Sequence, residues 1–152
     1  MYFDVHPTRP GLCRRMSRTV FQGPFFELQF PSDWEHEIIE NIPCFFDPDA
    51  GWVLQLAAST SPHGNFALDS EMRTYLEHNQ LEFQDDRVVR YENAAGLECM
   101  ACEFMKDNRF WLVQMLARGP RLLVALLNSD QVPDADLAGE ISGTVGSIRF
   151  TD

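Results

Sequence analysis

The back half of the chain is cut into apolar runs by connections too short to carry a crossover. Asp86 to Glu92, Gly96 to Lys106, Arg109 to Arg118 and Arg121 to Ser129 are separated only by Asn93-Ala-Ala, Asp107-Asn108 and Gly119-Pro120. A parallel neighbour needs a crossover of about a dozen residues, so these runs are predicted to pair as successive antiparallel strands. The back half therefore reads as a meander.

The front half supplies its remaining elements. Phe25 to Phe30 alternates, with Phe26, Leu28 and Phe30 on one face, and Pro31 ends this first strand. Pro43 to Asp47 is a second strand, Asp47-Pro48-Asp49-Ala50-Gly51 a turn, and Gly51 to Ser59 the returning strand. Asp33, Glu35, Glu37 and Glu40 are expected on the solvated outside of a short helical turn after Trp34. Leu68, Met72, Tyr75, Leu76 and Phe83 recur at helical spacing, with Asp69 or Ser70 as the N-cap. A closing helix starts at Asp134 and carries Leu137, Ile141, Val145 and Ile148. Its glycines, Gly139, Gly143 and Gly146, each cost about 1 kcal/mol against alanine. They share one side, which would let the helix backbone approach a sheet closely.

Trp52 to Ala58 and Phe110 to Ala117 are apolar at nearly every position, which predicts burial on both faces. The fold class is α+β, an antiparallel β-sheet flanked by helices on both faces. A chain of 152 residues, 45% of them hydrophobic, suits one core rather than two. Residues 23–152 are expected to form the domain, preceded by a flexible or extended segment over residues 1–22.

Charge narrows the partners. A formal net charge of -11 repels polyanions, which disfavours nucleic acid and anionic membrane. Arg9, Arg14, Arg15 and Arg18 form a basic head, but no secretory apolar stretch follows them, and Met16 is an alternative start. The apolar run Leu122 to Leu127 falls far short of the roughly 18–20 residues of a membrane helix. The four cysteines are then thiols of a reducing compartment, and the protein is expected in the cytoplasm.

The spacing Cys99-x-x-Cys102 invites a zinc or redox reading. In an extended strand, residues three apart point to opposite faces, so the two thiols cannot share a metal. Cys13, Cys44, His36 and His63 add no paired ligands, and no metal or cofactor is expected. Ser59, Ser61, His63 and Asp69 place a hydroxyl, an imidazole and a carboxylate near one another, but without a G-x-S-x-G elbow. They read as loop residues. Large aromatics serve first as core, yet an exposed aromatic groove is how a module without catalysis would hold a partner. Trp34, Glu35, Glu37, Phe46, Trp52 and Trp111 are the candidate partner-binding residues.

Phe26-x-Leu28-x-Phe30-Pro31-x-x-Trp34, the Gly51 hairpin strand, a helix, a meander and a closing helix ending Ser147-Ile-Arg-Phe150 resemble the PsbP/Mog-like superfamily. The resemblance covers about Phe25 to Phe150. It implies an antiparallel sheet with helices on both sides, and a role in binding rather than catalysis. Members include a photosystem subunit, a nuclear-import factor that binds a small GTPase, and bacterial DcrB-like proteins, among them chaperones of secreted effectors. The expected function is a protein-binding or adaptor domain, with a secretion-effector chaperone as its specific form. The alternative is a small-molecule binder or minor hydrolase using the His63 loop or the acids near Trp34, and a homodimer through strand edges is a third reading.

Overall fold

In the computed structural model, residues 17–151 are described; Arg9, Cys13, Arg14, Arg15 and Met16 lie outside them. Ten strands and two helices follow one another as β1 (Arg18–Gln22), β2 (Phe26–Pro31), β3 (Glu35–Ile39), β4 (Ile42–Phe46), β5 (Trp52–Thr60), α1 (Leu68–His78), β6 (Val88–Glu92), β7 (Glu98–Lys106), β8 (Arg109–Arg118), β9 (Arg121–Ser129), α2 (Ala135–Gly146) and β10 (Arg149–Phe150). A single 3-10 turn, Asp85–Arg87, leads into β6.

The strands form two antiparallel sheets. The larger has the order β3-β4-β5-β9-β8-β7-β6, and the smaller has the order β1-β2-β10. The meander pairs as its short connections require, with Lys106 opposite Arg109 and Arg118 opposite Arg121. Asp107 and Asn108 take φ of 54° and 61°, the positive values at both central residues that a mirror-image two-residue turn needs. The turn after β4 also forms as its composition suggests, with the Asp47 carboxylate accepting from the Asp49 amide at 2.9 Å.

Two hydrophobic clusters divide the side chains of the large sheet. Leu112 and Leu116 of β8 join Phe45, Leu54, Leu127, the β2 residues Phe26, Leu28 and Phe30, and the α2 residues Ile141 and Val145. Val113 and Met115, alternate residues of the same strand, join Met100, Leu122 and the α1 residues Met72 and Leu76. Strand β8 is buried from Leu112 to Ala117 without interruption.

Several expectations are corrected. Arg18–Gln22, expected in the flexible or extended segment ahead of the domain, is extended but belongs to the fold: it pairs along the whole length of β2, from Arg18 opposite Pro31 to Gln22 opposite Glu27. The segment after Trp34 is not helical. It is strand β3, because Glu40 and Asn41 take φ of 51° and 68° and fold the chain straight back as a hairpin. Asp69 and Ser70 do not cap α1, whose N-cap is Ala67 without a side-chain bond; Asp69 accepts instead from Arg90. Phe83 leaves the helix face because α1 ends at His78 and Gln80, just beyond the Asn79 cap, takes φ of 63°, where the Leu81 amide bonds the Leu76 carbonyl and the Gln80 amide bonds that of Glu77. Strand β5 is buried only in its first half, and Ala57 to Thr60 are exposed. The glycines of α2 do not pack on a sheet: a Cβ at Gly139 or Gly146 would meet nothing within 4 Å, and at Gly143 only the Arg18 guanidinium.

Asp134 caps α2 as expected, accepting from the Leu137 amide at 2.8 Å. Ser147 then ties the helix to the small sheet, accepting from the Gln29 amide at 2.8 Å. Replacing Gly139 by alanine should raise stability by about 0.5–1 kcal/mol, since the added methyl meets no atom and the helix loses its most flexible residue. Phe45, fully buried between Phe21 and Phe30, is the counterpart: Phe45→Ala should cost about 3–5 kcal/mol. Urea unfolding followed by circular dichroism measures both.

Candidate functional site

The sheet register sorts the candidate partner-binding residues. Glu35 stands opposite Phe46, Phe46 opposite Val53, Val53 opposite Asn128, Asn128 opposite Trp111 and Trp111 opposite Phe104. These six residues form one row across β3, β4, β5, β9, β8 and β7, and cross-strand partners share a face. All but exposed Glu35 are half-buried. Glu37 lies in the next row on the same face, opposite buried Cys44. The structure therefore brings Glu35, Glu37, Phe46 and Trp111 onto one surface strip.

The strip has fixed geometry at its β8 end. Trp111 stacks on Phe104 with ring centroids 6.3 Å apart and donates its indole N–H to the Lys106 carbonyl at 3.1 Å. Lys106 in turn donates to the Asn79 carbonyl at 2.9 Å, at the C-terminus of α1. Asn128 is held by the Arg109 Nε at 2.6 Å. Trp34 and Trp52 are a correction to the expected surface: they pack against each other with centroids 4.8 Å apart and are 6% and 7% exposed, within the core. Neither can meet a partner without unfolding.

The remaining motifs are dispersed. Cys99 and Cys102 both lie on β7 but belong to different clusters, on opposite faces of the strand. Burial pushes the Cys99 thiol up to about 11, partly offset by the neighbouring Tyr91 hydroxyl; burial also raises the Cys102 thiol. Neither is a ready nucleophile. His63 is exposed, and its backbone amide bonds the Ser61 hydroxyl; Asp69 bonds Arg90, so no hydrogen bond joins imidazole, hydroxyl and carboxylate. His36 turns away from Glu35 and Glu37 and stacks on Phe45 with centroids 5.8 Å apart. Among the described residues, no group of three or more histidine, cysteine, aspartate or glutamate side chains is placed to hold a metal ion.

A cavity escapes the motif reading altogether. It has a volume of about 640 Å³, opens to solvent, and lies between α2 and the β6, β7 and β8 end of the large sheet, on the face opposite the strip. Its polar interior is set by Gln114, whose Oε1 accepts a hydrogen bond from the Tyr91 hydroxyl. Burial raises the Tyr91 phenol strongly. The sequence held one sign of this site: Gln114 is the single strongly polar residue between Phe110 and Ala117.

Comparison with known proteins places the fold. No protein-family model matches the chain, and no curated protein matches it. Among solved structures, the solution structure of cyanobacterial PsbP (CyanoP) from Synechocystis sp. PCC 6803 superposes with a TM-score of 0.64 at 13% identity, covering 92% of this chain and 96% of that one. A crystal structure from Bacteroides thetaiotaomicron VPI-5482 superposes with a TM-score of 0.58 at 15% identity, over 89% of this chain. The chain spans about half of that protein, 48% of its length. The chain thus has a PsbP-like α+β fold. Among the described residues no helix is long and apolar enough to cross a membrane.

The buried thiol makes stability depend on pH. Folded Cys99 holds its proton above its ordinary pKa of 9.0, so between 9.0 and about 11 the folded state binds more protons than the unfolded one. Its contribution is whole below the lower value and is lost as pH rises through the upper one; the raised Tyr91 phenol acts in the same direction. Urea midpoints at about pH 8 and about pH 10.5 should fall with pH, and Cys99→Ala should reduce the fall. Equal slopes in the two proteins would remove Cys99 from the account.

Proposed function

We propose that this chain is a non-catalytic protein-binding or adaptor domain, and that the half-buried row from Phe104 to Glu35 is where its partner docks. The observation that carries this reading is the row itself: aromatic Phe104, Trp111 and Phe46 share one face with Val53, outside the deep core. Tryptophan and phenylalanine on a surface of this kind are the side chains that anchor interfaces. Glu35 and Glu37 edge the strip on an acidic molecule, so the matching segment of the partner is apolar with lysine or arginine at the β3 end. Holding an apolar segment of a client, as a secretion chaperone does, is the specific form of the proposal.

The two helices, one in each hydrophobic cluster, support a sandwich with α1 and α2 on opposite faces. The fold leaves the strip beside α1 rather than beneath it. Cys44, Cys99 and Cys102 are free thiols, which supports a reducing compartment and the cytoplasm.

Native mass spectrometry of the full chain, purified gently from its own cells, tests the proposal with two variants. Wild type and Val20→Glu, altered on exposed β1 away from the strip, should both carry a second polypeptide. Phe46→Glu should lose it by at least tenfold while its circular dichroism stays unchanged. A bare chain or a homodimer in all three would end the adaptor reading, and a partner retained by Phe46→Glu would move the docking surface elsewhere.

A further inference from the structure

We propose that the cavity between α2 and the β6, β7 and β8 strands is a binding site for an uncharged small organic molecule with an apolar body and a carbonyl oxygen. Its volume of about 640 Å³ lies within the range of roughly 300–1,000 Å³ typical of small-molecule sites. Small residues stand on both the sheet and the helix side of this space. On the sheet, Ala101 stands directly opposite Gln114, with Val89 beyond it. On the helix, Ser142 and Gly146 face the cavity, and a Cβ built on Gly146 meets no atom within 4 Å. Val89 and Leu112 complete an apolar surface.

Gln114 gives the cavity its chemistry. It is 3% exposed in the middle of a strand buried on both faces. Its Oε1 is engaged by the Tyr91 hydroxyl, which orients the amide, and its Nε2 has no partner among the described residues. No described side-chain nitrogen or oxygen is both fully buried and unpaired, so that nitrogen reaches the accessible wall of the cavity its residue lines. A donor on a buried side chain that lines a cavity and lacks a protein acceptor is fitted to an acceptor on a ligand. The Ser142 hydroxyl, also without a hydrogen-bond partner among the described residues, adds a second polar group on the opposite wall.

Charge along the lining disfavours anions. Asp86 stands beside Arg87 there, so a carboxylate finds no net positive charge to bind. An ammonium group has no lone pair to accept from the Gln114 amide N–H, which a carbonyl oxygen satisfies. An amide, ester or lactone attached to a compact ring or chain satisfies both the floor and the walls. The site is separate from the docking strip, which lies on the other face of the large sheet, so either can fail alone.

Protein-observed NMR on the nitrogen-15-labelled full chain tests the site, with N-benzylacetamide and coumarin as neutral carbonyl probes and phenylacetate and benzylamine as charged controls. The neutral probes should move the Gln114 side-chain amide pair together with the backbone amides of Val89, Ala101 and Ser142. Gln114→Glu, which keeps the shape and removes the NH₂, should weaken their binding about tenfold. Gly146→Leu, which fills the open space beside α2, should abolish it without touching Gln114. The proposal is overturned by the absence of shifts at the solubility limit of both probes, by shifts scattered outside the cavity, by tighter binding of either charged control, or by binding that survives both variants.

Discussion

Strand β8 is buried on both of its faces, and everything else in the molecule follows from covering it. Its backbone pairs with β7 on one side and β9 on the other, so none of its polar groups needs solvent. Its side chains alternate between the two clusters, Leu112 and Leu116 in one, Val113 and Met115 in the other. A strand of this kind is stable only when two separate layers of apolar side chains arrive from elsewhere in the chain. Helix α1 supplies Met72 and Leu76 to one layer, while α2 and the β2 residues Phe26, Leu28 and Phe30 supply the other.

Neither layer covers the whole sheet, and the two candidate surfaces are what is left over. On the α1 side the row from Phe104 to Phe46 stays half-buried, with Glu35 and Glu37 at its outer end. On the α2 side the cover is interrupted by small residues, Ala101 below and Gly146 above, around one oriented amide. We propose the first as the docking strip for another polypeptide and the second as the recess for a small molecule. The same demand, burying β8 with short elements, leaves both openings.

Legibility in the sequence followed the range of the interactions involved. The meander, the Asp47 turn and the Asp134 cap were readable because each depends on residues within a few positions of one another. Strand β1 was not, since Arg18, Thr19 and Gln22 show no apolar alternation and the strand forms only by pairing along β2. Strand β3 was hidden in the same way: four acids read as a solvated helical turn, whereas positive φ at Glu40 and Asn41 makes a hairpin. The glycines of α2 share a side, but their spacing could not say whether that side met a sheet or open space. Of the six candidate binding residues, Glu35, Glu37, Phe46 and Trp111 met on one face, while Trp34 and Trp52 closed on each other in the core.

By itself the sequence determined the class of fold. Short connections force antiparallel neighbours, the continuous apolar run of β8 goes with two-sided burial, and helical periodicity supplies two helices, all of which are local or compositional signals. Only the tertiary structure decided where surfaces open. Cross-strand register placed Glu35, Phe46 and Trp111 in one row although they are far apart in the chain. Ser142 and Gly146 of α2 line one cavity with Ala101 and Leu112 of the sheet, around a Gln114 whose Nε2 lacks a protein partner among the described residues. Those outcomes depend on which distant side chains fill a given volume, and the order of residues along the chain carries no direct record of that.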